Sequence, residues 1–404
     1  MRRLMFWCSV FLTFLIPWED SITVAALGSM ARVVGLVVAG FWAATMLLEG
    51  RFRKPHPFHI LVLFFFLWNF ISLFWSPDPE STLQRIKTYS QIFLLLLIFW
   101  EAFQTAADLT TGLQAYVFGA YVLIFSVIRN YLTGTVAVTY EGRYSATGVN
   151  AVDLALILML GLPVAMQLFY SAVSDWKGKL LKFVNLAYIP AAIFSIVLTG
   201  SRTSLIAIVP FGFYLVGTKK IPFNRKMLVL GVLFAVLLAL LPFIPSSVTS
   251  RLATLGSSIE AGDLGGRVSL WLQSIKVLAD HPWLGVGSGA LDLRIGSAAH
   301  NTFVSIAAET GFIGFTLFSC LLAAVLFEAL SLPNGNSGLW AAIFLTWAIG
   351  VLSLSWEFRK LTWLFLNFIV IEGSIARQQD LVNRISFSNI VRPFLITDNQ
   401  KETV

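Results

Sequence analysis

Five arginines and one histidine draw attention by where they fall: Arg143, Arg202, Arg251, Arg267, Arg294 and His300. His300 stands in Ala299-His300-Asn301-Thr302-Phe303, at the mouth of a long apolar run. A neutral imidazole near pH 7 is the natural general base. Arg202 sits in Leu198-Thr199-Gly200-Ser201-Arg202-Thr203, where two apolar runs meet with almost no loop between them. An ionisable group at such depth is costly and marks a functional site. Arg267 follows Gly262-Asp263-Leu264-Gly265-Gly266 at an expected helix start, so backbone N–H groups and a guanidinium converge on an anion site. Arg251 and Arg294 fit interfacial snorkelling equally well. Glu309 lies within an apolar run and requires a partner there, an arginine by preference. A base beside planar guanidinium forks can deprotonate a hydroxyl and stabilise an anionic leaving group without a divalent ion. The other histidines carry less: His56 and His59 lie in a basic loop, and His281 precedes a proline.

The elements that must position these residues are membrane helices. Of 404 residues, 57% are hydrophobic and 12% charged, with mean hydropathy +0.80. A soluble domain carries about a quarter charged residues, so lipid is this chain's solvent. Its apolar runs are continuous rather than alternating, which selects helices over a β-barrel. The net charge of +7 has no soluble basic domain to hold nucleic acid, and reads instead as a topology signal. Cys8 and Cys320 both sit in apolar runs, which argues against a disulfide, and no His or Cys spacing suggests a metal. The N-terminal Met1-Arg2-Arg3 and its apolar run read as a retained first span rather than a cleaved signal.

The expected architecture is one all-α polytopic membrane domain, 1–404, with about a dozen transmembrane helices. They fall near 4–18, 29–48, 58–75, 88–103, 113–131, 150–170, 183–199, 202–217, 227–244, 300–328, 338–355 and 361–376. Even parity puts both termini on one side. Arg51, Arg53, Lys54, Lys177, Lys179, Lys182, Lys219, Lys220, Arg225, Lys226 and the tail 377–404 share that side, which is cytoplasmic by the positive-inside rule. The longest connection, 245–299, then faces the periplasm. Within it Val248, Leu252, Leu255 and Ile259 recur at helical spacing, and so do Val268, Trp271, Ile275 and Leu278. Two amphipathic helices on the outer membrane boundary satisfy both patterns. A glycine-rich turn, His281-Pro282-Trp283-Leu284-Gly285-Val286-Gly287-Ser288-Gly289, follows them.

These segments resemble the O-antigen ligase and polymerase superfamily. The resemblance runs in order from about residue 140 to 315. It is carried by 142–150, by Thr199-Gly200-Ser201-Arg202-Thr203, by Gly266-Arg267 with Trp271, by 281–287, and by Ala299-His300-Asn301-Thr302 with Glu309-Thr310-Gly311. It implies a multi-span glycosyltransferase of the bacterial inner membrane, working at the periplasmic face without metal or cofactor. The donor would be a glycan on undecaprenyl pyrophosphate. A ligase would deliver it to a sugar hydroxyl of lipid A–core, in lipopolysaccharide biosynthesis; a polymerase would use a second lipid-linked unit. Arg202, Arg267 and His300 match positions regarded as essential in the family, and Arg143 a further basic one; Trp271, Asn301 and Glu309 are substrate-binding candidates. Direct displacement at the anomeric carbon would invert it, since no carboxylate stands out as a nucleophile. The short segment 130–149, with little charge beyond Arg143 and Glu141, favours the ligase over the polymerase. A transporter of anions or sugars is the reading from another class. It requires broken helices and a mid-membrane repeat, and no repeat is evident.

Overall fold

The computed structural model describes residues 1–24, 28–135, 142–171, 175–218, 222–253, 266–333 and 336–396. Helices account for most of it: α1 (Arg2–Leu15), α2 (Met30–Glu49), α3 (Pro57–Ile71), α4 (Pro79–Ala102), α5 (Ala106–Leu132), α6 (Ala151–Ser171), α7 (Trp176–Leu198), α8 (Arg202–Ala207) and α9 (Val209–Gly217). They continue with α10 (Phe223–Leu240), α11 (Ser246–Ala253), α12 (Arg267–Asp280), α13 (Leu291–Ile295), α14 (Thr302–Leu330), α15 (Asn336–Gly350) and α16 (Lys360–Ile396). Among the described residues β-structure is confined to a two-residue pairing of Thr23–Val24 with Gly28–Ser29.

The all-α polytopic architecture is therefore present, with a helix at each expected span. Eight segments among the described residues are long and apolar enough to cross a membrane. The dozen is not reached by that measure, for physical reasons that differ between helices. The α1 helix has 14 residues, about 21 Å at 1.5 Å per residue. The α4 helix carries Arg85, Lys87 and Glu101. The run 202–217 is divided at Ile208, just before Pro210, whose missing N–H cannot continue the ladder. The α16 helix carries Glu372 and Arg377 within its apolar stretch, and it runs on past residue 376 into the stretch expected as a tail. Both amphipathic stretches of the long connection begin as helices, α11 and α12; residues 254–265, with Leu255, Ile259 and Gly262–Gly265, lie outside the described residues.

The core centres on α6, buried along most of its length between α5, α7 and α15. Two buried hydroxyls need acceptors there: Tyr116 donates to the Ile157 carbonyl at 2.7 Å and Tyr188 to the Leu158 carbonyl at 3.0 Å. Charges gather at the two ends of the bundle. At one end Arg2 pairs with Glu49 at 2.5 Å, Arg53 donates to the Trp100 carbonyl at 2.6 Å, and Arg377 pairs with Glu328. At the other, Arg359 meets Asp20 at 2.6 Å and Asp153 at 3.4 Å, and Lys360 pairs with Glu19.

The α14 helix is broken at Gly311, which has φ +65°. Non-helical backbone survives at membrane depth only where protein satisfies it. Here the glycine-rich turn does so. Val286 and Gly287 donate their N–H groups to the carbonyls of Ala308 (3.1 Å) and Glu309 (2.9 Å), while Phe312 N–H turns to the Pro282 carbonyl at 2.8 Å. Trp68 Nε1 takes the Thr310 carbonyl at 2.9 Å. The turn is a backbone splice across the kink.

Candidate active site

A cavity of about 820 Å³ opens where α8, α12, the start of α14 and the end of α15 meet. Arg143, Arg202, Arg267, Trp271 and His300 all line it. Its remaining walls are largely apolar, with Val152, Ile206, Leu270, Ile349, Leu352 and Leu354. Four cationic or basic groups thus face one amphiphilic space, although Arg143 and His300 stand 157 positions apart in the chain.

Each group is set in place by local backbone chemistry. Arg202 is the first residue of α8, just after Gly200, whose φ of +56° turns the chain between α7 and α8 with almost no loop. Arg143 reaches the same joint. Its Nε donates to the Thr199 carbonyl at 2.8 Å, an orphan acceptor at the end of α7. Its two Nη groups have no hydrogen-bond partner among the described residues, and the side chain lines the cavity. Burial lowers the Arg143 pKa, but a guanidinium stays charged in proteins. Arg267 opens α12 directly after Gly266, at φ +77°. From the next turn of the same helix, Trp271 Nε1 donates to the Ala299 carbonyl at 3.1 Å.

That bond fixes the residue before His300, and Asn301 fixes the residue after it. The Asn301 side-chain oxygen accepts from the N–H groups of Phe303 (3.0 Å) and Val304 (3.2 Å), capping α14. His300, half-buried between them, has φ +49°, the one positive φ of a non-glycine residue among those described. Its pKa is held below the ordinary value, first by burial and then by the Arg267 guanidinium, against the opposing pull of Asp153 and Asp292. The imidazole is therefore neutral at pH 7, the form that accepts a proton.

Two sequence candidates lie elsewhere. Asn301 is buried as the helix cap and Glu309 is buried near the kink; neither lines the cavity. Glu309 does meet an arginine, Arg85 at 3.8 Å, and accepts from Gly289 N–H at 2.8 Å. Sequence reasoning did not single out Arg85 or Glu357, which pair at 3.0 Å. Both were visible as ionisable residues beside apolar runs, in Leu83-Gln84-Arg85-Ile86 and Ser355-Trp356-Glu357-Phe358. Arg294 stands apart from the cavity, exposed on α13 beside His281 and Trp283. Among the described residues no group of three or more His, Cys, Asp or Glu side chains is arranged to hold a metal ion.

Fold and cavity together define an integral membrane protein with a basic, amphiphilic cavity at one end of its helical bundle. Comparison with known proteins then shows what the chain is similar to. Residues 187–319 match the family model described as O-Antigen ligase. Over 322 residues the chain is 26% identical to the exopolysaccharide production protein ExoQ of Rhizobium meliloti (strain 1021), covering 73% of this chain and 71% of that protein. Residues 187–319 are thus similar to the O-antigen ligase family, a class of glycosyl-transferring enzymes. The resemblance carried by the sequence motifs is borne out at that level.

Proposed function

We propose that this protein is an inverting, metal-independent glycosyltransferase that moves a glycan from undecaprenyl pyrophosphate to a sugar hydroxyl at the periplasmic face of the inner membrane. The acceptor in the first reading is a hydroxyl of lipid A–core, which makes the protein an O-antigen ligase. The observation that carries this reading is the gathering of His300 with Arg143, Arg202 and Arg267 on one cavity with an apolar wall. A polyprenyl pyrophosphate is an anion joined to a hydrocarbon, and such a cavity offers guanidinium forks for the one and apolar side chains for the other.

In the proposed step an imidazole nitrogen of His300 takes the proton of the acceptor hydroxyl. The hydroxyl oxygen attacks the anomeric carbon from the face opposite the leaving group. The bond from that carbon to the pyrophosphate oxygen breaks, and its electron pair leaves on the pyrophosphate. Arg202 and Arg267, with Arg143, stabilise the charge that grows there.

A second reading has its own support, since the ExoQ match extends well beyond the family segment. In it the acceptor is the end sugar of another lipid-linked unit and the product is a longer exopolysaccharide. The broken helix α14 meets one requirement of a transporter, but the family match points to glycosyl transfer.

Purified protein, lipid-linked glycan, lipid A–core and excess EDTA test the proposal directly. The joined product is expected, and His300→Ala or Arg267→Ala should abolish it while the proteins remain monodisperse. Longer lipid-linked chains formed without lipid A–core would establish the polymerase reading instead. Full activity of His300→Ala would remove the general base from the mechanism.

A further inference from the structure

A base must stand within hydrogen-bond reach of the hydroxyl it deprotonates, and a misplacement of about 1 Å can cost on the order of 100-fold in rate. His300 achieves its position from a left-handed backbone, a conformation that persists in a non-glycine residue only where the surroundings hold it. Trp271 and the Asn301 cap account for the flanking peptides. What ties this joint to the rest of the bundle is Thr302.

Thr302 is fully buried. Its hydroxyl donates to the Leu354 carbonyl at 2.9 Å and accepts from the Trp356 N–H at 2.8 Å. One side chain thereby closes two backbone groups of the segment between α15 and α16, the segment whose Ser353 and Leu354 line the same cavity as His300. A turn further along α14, Ser305 donates to Glu357 Oε1 at 3.1 Å, and Arg85 holds the same oxygen at 3.0 Å.

Resting on the general-base reading of His300, we propose that Thr302 is a positioning residue for the transfer reaction. Its hydroxyl locks the start of α14 to the 354–356 backbone, and so holds the His300 backbone left-handed with the imidazole on the cavity. Ser305, through Glu357 and Arg85, braces the same joint from below. Thr302 touches neither donor nor acceptor in this account.

The test uses the full chain in lipid nanodiscs and two readouts. The first is transfer from polyprenyl-pyrophosphate oligosaccharide to lipid A–core. The second, independent of activity, is acylation of His300 by diethylpyrocarbonate across pH, quantified by peptide mass spectrometry against His281. Thr302→Val keeps the shape and removes the hydroxyl. It should lower kcat on the order of 100-fold with KM little changed, and speed His300 acylation several-fold. Thr302→Ser keeps the hydroxyl and should restore both. If the valine variant does not fold, Ser305→Ala removes the lower brace alone and should shift His300 acylation in the same direction by a smaller factor. Unchanged acylation in Thr302→Val, or in Ser305→Ala where that variant stands in, overturns the proposal, as does a serine variant impaired as deeply as valine. Activity retained by His300→Ala would instead strike the general-base reading, leaving the acylation result to judge the positioning role.

Discussion

Substituting Gly285 by alanine should damage both stability and activity, by an amount the splice across the α14 kink allows one to work out. Gly285 has φ +69°, where an L side chain costs about 1–2 kcal/mol. A Cβ there would also fall 2.5 Å from the Gly311 nitrogen and closer still to the Glu309 carbonyl. That is about 0.9 Å inside the 3.4 Å at which ordinary contact begins, and the obstacle is backbone, which cannot swing aside. Overpacking of this kind costs roughly 1–3 kcal/mol, so the two effects together reach about 2–5 kcal/mol. Relief requires the turn and the kink to separate by nearly an ångström, stretching the bonds from Val286 and Gly287 to the Ala308 and Glu309 carbonyls. Gly296 supplies the control, with a similar φ of +73° and nothing within 4 Å of a Cβ; its alanine variant should lose only the backbone part. Thermal unfolding in detergent, with transfer activity measured on the surviving fold, separates the two. A Gly285→Ala protein no less stable than Gly296→Ala would refute the account of the turn as a splice.

Three further outcomes are expected. The rate of transfer should hold level below pH 6.5, because His300 is neutral to lower pH than an ordinary histidine; it should fall only as pH drops through that lowered value, and a rate already halved at pH 6.5 or above would contradict the burial and Arg267 effects. Trp271→Phe keeps the ring and loses the bond to the Ala299 carbonyl, so kcat should fall about three- to tenfold for a lost hydrogen bond of about 1 kcal/mol, measured in the same assay; an unchanged kcat would make that bond incidental. Arg202→Lys and Arg267→Lys keep the charge and lose the planar fork, so each should retain donor binding, followed by retention of labelled polyprenyl pyrophosphate, yet transfer at least tenfold more slowly; wild-type rates in both would reduce the arginines to point charges.

The features legible in the sequence are those that physics forces into local composition. A helix in lipid must be written as a long apolar run, so each expected span has its helix. Ionisable residues are costly beside apolar runs, so Arg143, Arg202 and Arg267 could be picked out, and His300 by its place at the mouth of a span, and the fold brings all four to one cavity. Partnerships between distant spans leave no such local trace. That Arg85 would meet both Glu309 and Glu357, or that Thr302 would close on Leu354 and Trp356, depends on which helices become neighbours. The glycine-rich turn shows the same boundary from another side: its glycines announce a special backbone, while its partner, the kink at Gly311, lies beyond any local window.

The apolar wall of the cavity also sets the concentration scale on which the protein would work. Ile206 and Leu352 are exposed on that wall, facing where hydrocarbon would lie. A donor held by its lipid tail would then arrive sideways, by diffusion within the leaflet, and its encounter rate would follow its mole fraction among lipids rather than its molarity in the sample. Adding inert phospholipid at constant donor should slow the reaction by surface dilution, whereas adding buffer should leave it unchanged. Kinetic constants for such a protein carry units of two-dimensional density, and molar values from different detergents are not comparable until they are converted.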